Sequence, residues 1–170
     1  MTRGYLGLGS NLGDRLASLT SAVRLLGERG VEVIRSSRVY ETDPVGGPAQ
    51  GPYLNAVVEI EFSGTARELL DAARAVEEAM GRIRTERWGP RVIDVDILTF
   101  GDERVDRPDL VIPHPRMHER GFVLIPLLEL TADPPLPGGR RAADVRIGPD
   151  ALSGVRPFAP PLVTEAGAGR

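Results

Sequence analysis

The sequence predicts an α+β fold of the ferredoxin-like type, a β-α-β-β-α-β sandwich with helices packed on an antiparallel sheet and extra elements after it. Three observations predict it. Two stretches carry apolar residues at helical spacing, several are β-branched or alternating in the manner of strands, and the two kinds follow one another in the β-α-β-β-α-β order. With 170 residues, one domain is expected, over residues 1–155, with residues 156–170 as a loose C-terminal tail.

The elements follow in order. Tyr5-Leu6-Gly7-Leu8-Gly9 reads as a short strand ending in glycines. The pattern Leu16, Leu19, Val23, Leu26 within Asp14–Arg29 is helical, and Gly30 is placed to stop it. Val31 to Tyr40 reads as one β-branched strand. Thr42 to Pro52 has three prolines and three glycines and reads as a long loop. Leu54, Ala56, Val58, Ile60 and Phe62 alternate with more polar residues, which predicts a strand with one buried face. Thr65-Ala66-Arg67-Glu68 is a capping box opening a helix with Leu69, Ala73, Val76 and Met80, and Gly81 is placed just past its end. Ile83 to Pro90 is an arginine-dense loop, Arg91 to Phe100 a strand, and Gly101-Asp102 a turn to a short return strand near Val105. Phe122 to Leu130 predicts a short helix whose start is limited, or whose axis is kinked, by Pro126.

Composition narrows the function classes. Hydrophobic residues are 41% and charged residues 26%, as in an ordinary globular protein. With no cysteine, disulfides and thiolate metal sites are excluded. No apolar run nears the roughly 20 residues that span a bilayer, and the N-terminal residues lack the layout of a signal peptide, so a cytoplasmic protein with no membrane partner is expected. The net charge of −3 argues against a nucleic-acid binder. All 21 basic residues are arginine. A Walker-type P-loop lysine is therefore excluded, and any phosphate clamp must use guanidinium forks.

Val92-Ile93-Asp94-Val95-Asp96-Ile97-Leu98 carries the sharpest chemical signal. Residues two apart on a strand share a face, so Asp94 and Asp96 project together, about 7 Å apart, while Ile93, Val95 and Ile97 face the core. Such a pair either meets arginines or holds hard cations such as magnesium, and two ions would match the span. The neighbouring loop supplies Arg82, Arg84, Arg87 and Arg91, and cations beside such a pair suit a polyphosphate. Trp88 in that loop suits a lid or stacking role. Leu6 to Gly13 reads G-x-G-x-x-x-G, not the dinucleotide fingerprint, and is taken mainly as a tight strand-to-helix turn. His114, between Pro113 and Pro115, suits hydrogen bonding better than metal ligation, although His118 lies four residues on. Tyr53, Asn55 and Phe122 are candidates for holding a flat aromatic ligand.

These segments together resemble the 6-hydroxymethyl-7,8-dihydropterin pyrophosphokinase family. The carriers are Leu8-Gly9-Ser10-Asn11-Leu12-Gly13-Asp14, Tyr53-Leu54-Asn55-Ala56-Val57, Arg87-Trp88-Gly89-Pro90-Arg91 with Asp94-Val95-Asp96, and Pro113-His114-Pro115-Arg116-Met117 with Arg120-Gly121-Phe122. The resemblance implies a monomeric enzyme that converts ATP and the pterin alcohol to AMP and the pterin diphosphate. It implies that Asp94 and Asp96 bind two magnesium ions and act in catalysis with Arg82 and Arg91. ATP would also meet Glu77, Arg84, Trp88, Ile97, Leu110, His114 and Arg120. The pterin would meet Thr42, Val45, Tyr53, Asn55, Trp88 and Phe122. Gln50-Gly51-Pro52-Tyr53 departs from the family's usual glutamine-proline-x-tyrosine. Asp109 stands where some members have a basic residue, and no role is carried onto it.

Two other classes fit parts of the pattern. One is a metal-dependent phosphohydrolase using the same aspartates, and the other is a non-enzymatic sheet that binds RNA or a regulatory ligand. The loops Thr42 to Pro52 and Arg82 to Arg91 are expected to close over substrates, since water must be kept from the phosphates while ATP enters and AMP leaves.

Overall fold

A computed structural model describes residues 1–43, 51–81, 92–145 and 154–163. Alternating Leu and Gly make strand β1 (Thr2–Ser10), which runs through Gly7 and Gly9 rather than ending at them. Helix α1 (Arg15–Glu28) starts where the Asp14 carboxylate accepts the Ala17 N–H at 3.1 Å, and it ends at Gly30, whose N–H donates to the Gly27 carbonyl. The expected strand over Val31 to Tyr40 is two strands, β2 (Glu32–Ser36) and β3 (Val39–Thr42). Both pair with β4 (Tyr53–Phe62), but Ser36 lies opposite Val58 and Tyr40 opposite Asn55, so one extra residue must be absorbed between them. The Ser37 side chain does this by accepting the Val57 N–H at 2.9 Å in place of a ladder carbonyl.

Helix α2 (Ala66–Gly81) opens with the predicted reciprocal box: Thr65 N–H donates to Glu68 Oε1 at 2.9 Å and Glu68 N–H to Thr65 Oγ1 at 3.1 Å. Strand β5 (Asp94–Phe100) follows. Then β6 (Val105–Arg107) pairs with β7 (Leu110–Ile112) as a separate hairpin, not as a return along β5. A 3₁₀ turn (Met117–Glu119) leads to helix α3 (Gly121–Leu130), which runs on through buried Pro126. The last strand is β8 (Val155–Ala159).

The main sheet has the order β5-β1-β4-β3-β8, with β2 beside β3 on β4. Leu19, Leu26, Leu69 and Val76 from α1 and α2 pack on Leu6, Leu8, Val58, Ile60 and Ile97 on one face. Val123, Leu124 and Leu127 of α3, with Met117, pack on Val57 and Leu98 on the other. The expectation of one buried face on β4 is thus corrected. β4 is central, α3 covers its second face, and Val57 is as buried as Val58. The expected loose tail is also corrected over its first residues, because β8 forms the sheet edge against β3.

Leu127 is fully buried beneath this second face. Leu127→Ala should destabilise the protein by about 2–5 kcal/mol, lowering the melting point by roughly 4–20 °C in calorimetry.

Candidate functional site

β1 lies between β4 and β5, and its register builds the site. Gly9 sits opposite Asn55 on one side and Asp94 on the other, and Gly7 opposite Val57 and Asp96. The odd-numbered residues of β1 point to the α3 face. The same face therefore carries Asn55 and Val57 of β4 and Asp94 and Asp96 of β5. Asp94 is half-buried and Asp96 exposed, while Val95 and Ile97 fill the helix-side core, as the period of two predicts.

Asn55 is buried, and its Nδ2 donates to Thr42 Oγ1 at 3.0 Å. Thr42 in turn lies opposite Tyr53. Gly9 is what makes room here. A Cβ on it would stand 3.0 Å from Asn55 Oδ1 and 3.7 Å from Tyr53 Cδ1. Adjacent strands are about 4.8 Å apart, so Asn55 and Asp94 flank a bare strip roughly 10 Å wide with glycine as its floor. Gly9→Ala should displace the Asn55 side chain and leave the fold intact, read as weaker substrate binding at an unchanged melting point.

His114 reaches the same place by a backbone bond: its N–H donates to the Leu98 carbonyl at 2.9 Å, which sets it near Asp96. Its Nδ1 accepts the Arg116 N–H at 3.2 Å, so the neutral ring carries its proton on Nε2. Burial holds its pKa below the ordinary histidine value; Asp96 pulls upward, and Arg120 and Arg116 push further down. Arg120 lies over the Phe122 ring at 5.6 Å from its centroid, and Phe122 packs against the α3 core. Histidine, guanidinium and aromatic ring thus gather around the start of α3, next to the carboxylates.

The structure brings together Thr42, Tyr53, Asn55, Asp94, Asp96, His114, Arg120 and Phe122. Ile97 and Leu110 are not brought to the strip, since their side chains are in the helix-side core. Glu77, from α2, accepts the outward Val95 N–H of edge strand β5 at 2.9 Å. It therefore holds the backbone between the two aspartates. Val45, Arg82, Arg84, Trp88 and Arg91 lie outside the described residues, as do most of both loops expected to close. Among the described residues, no three histidine, aspartate or glutamate groups cluster as a metal cage. Asp109 faces outward in a two-pronged pair with Arg67, at 2.5 and 3.0 Å, and anchors the β6–β7 hairpin to α2.

The residue that sequence reasoning underrated is Gly9. Taken as part of a turn, it is instead mid-sheet, and the signal was the strict alternation Leu6-Gly7-Leu8-Gly9, which puts both glycines on one face.

A carboxylate pair on one side of a glycine strip and an amide beside an aromatic ring on the other suit an enzyme that holds a small flat ligand beside a cation. The comparisons define which one. Residues 5–132 match the model of the 7,8-dihydro-6-hydroxymethylpterin-pyrophosphokinase (HPPK) family, and the chain belongs to that family. It is similar to 2-amino-4-hydroxy-6-hydroxymethyldihydropteridine pyrophosphokinase of Bacillus subtilis (strain 168), with 49% identity over 127 residues, covering 74% of this chain and 76% of that one. The enzyme of the same name from Methylorubrum extorquens is 46% identical over 134 residues, covering 78% and 85%. A solved HPPK-DHPS structure in complex with substrates shares the fold, with a TM-score of 0.60 at 13% identity. The match covers 76% of this chain but only 40% of that longer one. The chain is accordingly a pyrophosphokinase of folate biosynthesis, transferring a pyrophosphoryl group to hydroxymethyldihydropterin.

Proposed function

We propose that the donor is ATP, that two magnesium ions are held by Asp94 and Asp96, and that the pterin is read by Asn55 beside Tyr53 and Phe122. The observation that carries this reading is the single rung Asn55–Gly9–Asp94, which sets an amide reader and a carboxylate on one open face. The donor set fits magnesium. Two carboxylates on one strand face offer hard oxygen ligands and leave most coordination positions for water and phosphate oxygens, the usual arrangement for this ion. When bound, magnesium supplies charge neutralisation across the polyphosphate.

The hydroxymethyl oxygen of the pterin then attacks the β-phosphorus in line, and AMP leaves. No protein nucleophile is required, because orientation and charge stabilisation supply most of the rate. Asn55 can donate and accept along the amide-like pterin edge, with its rotamer held by Thr42. His114 offers its Nε2–H to a phosphate oxygen without adding a full charge, and Arg120 adds one. Arg82, Arg84, Trp88 and Arg91 complete the ATP side and Val45 the pterin side. The protein is a monomer that works in the cytoplasm. No helix among the described residues is long and apolar enough to cross a membrane.

The test is AMP release from ATP, with and without the pterin alcohol and with and without a magnesium chelator. AMP should form only when pterin and magnesium are both present. AMP or phosphate release without pterin would favour the hydrolase reading and overturn this one.

A further inference from the structure

The family match ends at residue 132, yet β8 comes after it and pairs with the strand that bears Thr42. Arg156 of β8 lies opposite Glu41, and Val155 opposite Thr42. The Arg156 guanidinium donates to Glu41 Oε1 at 2.7 and 3.1 Å and to Asp43 Oδ1 at 3.2 Å. The Asp43 N–H donates to the Gly154 carbonyl at 3.2 Å. Gly154 has φ of 77°, and a Cβ there would lie 2.9 Å from Asp43 Oδ2, so glycine alone allows this close turn. Both neighbours of Thr42 are therefore gripped by the C-terminal strand.

A second arginine completes the device. Arg15, the first residue of α1, meets the other Glu41 oxygen at 2.9 Å and donates to the Pro52 carbonyl at 2.8 Å. Pro52 directly precedes Tyr53. Glu41 is thus held between two guanidinium groups that reach both sides of the pterin wall, one toward Thr42 and one toward Tyr53. The two arginines hold the Glu41 carboxyl below the usual carboxylate range, with Arg156 the larger cause. These contacts lie on the α1 and α2 side of the sheet, opposite the strip. They act on the ligand face only through the backbone of β3.

We propose that Arg156 is a positioning residue for the pterin pocket: by clamping Glu41 and Asp43 it fixes Thr42, and Thr42 fixes the amide of Asn55. This rests on the reading of Asn55 as the pterin contact. The C-terminal strand is then part of the substrate site although it touches no substrate. A partly exposed ion-pair network contributes modestly, so the effect is graded rather than absolute.

The experiment measures Kd for the pterin and for an unreactive ATP analogue separately, with melting curves, on full-length Arg156→Ala, Arg156→Lys, Asn55→Ala and Arg67→Ala. Arg67→Ala breaks a comparable exposed pair, to Asp109 between α2 and the β6–β7 hairpin, and is the control for pterin binding. Arg156→Ala should weaken pterin binding by about 2- to 5-fold with ATP-analogue binding unchanged. Arg156→Lys keeps the charge but loses the fork, and should fall between. Arg67→Ala should leave pterin binding unchanged. Equal losses for both ligands in Arg156→Ala, or no loss, overturn the proposal. If Arg156→Ala does not fold, Arg156→Lys decides by the same criterion. A pterin loss in Asn55→Ala without one in Arg156→Ala overturns the clamp alone. No pterin loss in Asn55→Ala overturns the underlying reading of the pocket as well.

Discussion

Asp94→Ala and Asp96→Ala should each abolish turnover while the protein still folds. The side chains that hold β5 in place are Val95, Ile97 and Phe100 in one core and Leu98 in the other, and neither substitution touches them. The Glu77 bond to the Val95 N–H also survives, because it engages backbone. What each variant loses is one of the two carboxylates proposed as hard oxygen ligands. Metal-assisted charge stabilisation amounts to several kcal/mol of barrier, so a loss of about 1000-fold or more in kcat is expected. Asp96 is exposed and has a like charge two residues away on the same face. Removing it should leave the melting point of the metal-free protein unchanged or slightly higher, as repulsion between the carboxylates is relieved. Magnesium-dependent AMP production measured beside a melting curve checks both halves. Near-normal turnover in either folded variant would remove the pair from the mechanism.

Asn55→Ala should weaken pterin binding far more than ATP binding. Asn55 is buried in the floor of the strip, bonded to Thr42 and facing Gly9. With Asn55 as the proposed pterin contact, its removal should leave ligand donors and acceptors unpaired, at about 1–3 kcal/mol, or roughly 5- to 150-fold in Kd. ATP is expected at the Asp94 end, about 10 Å away by strand spacing, so its affinity should hold. Separate titrations of pterin and of a non-hydrolysable ATP analogue decide the matter. Equal losses would make Asn55 a structural residue, and the carboxylate end would then be the only part of the strip with a role.

Much of the local structure was legible in the sequence. Asp14 as a cap, the Thr65–Glu68 box and the shared face of Asp94 and Asp96 each depend on residues within a few positions of one another. Periods of 2 and 3.6 and the reach of a short side chain are enough to predict them. His114 was read as a hydrogen-bonding residue for a similar reason, because its flanking prolines keep it out of a helix. Where structure and sequence differ, the cause is shared. The alternation of β4 predicts one buried face, but α3 lies on the second face and buries Val57 in the cluster that holds Leu127. Val31 to Tyr40 reads as one strand, because the extra residue at its break shows only against the register of β4.

The sequence by itself determined the kinds of elements, the chemical groups and the family. It also determined that the two carboxylates share one face, since strand geometry alone aligns them. Tertiary structure decided what those carboxylates face. That β1 runs between β4 and β5, so that Gly9 meets both Asn55 and Asp94, depends on pairings between residues 46 and 85 positions apart along the chain. So does the return of β8 to the edge of β3, which pairs Thr42 with Val155 across more than a hundred residues. Propensity and periodicity act over a few residues, whereas strand pairing is settled by burying both faces of the whole sheet at once. A glycine therefore looked like a turn until its neighbours on either side were known.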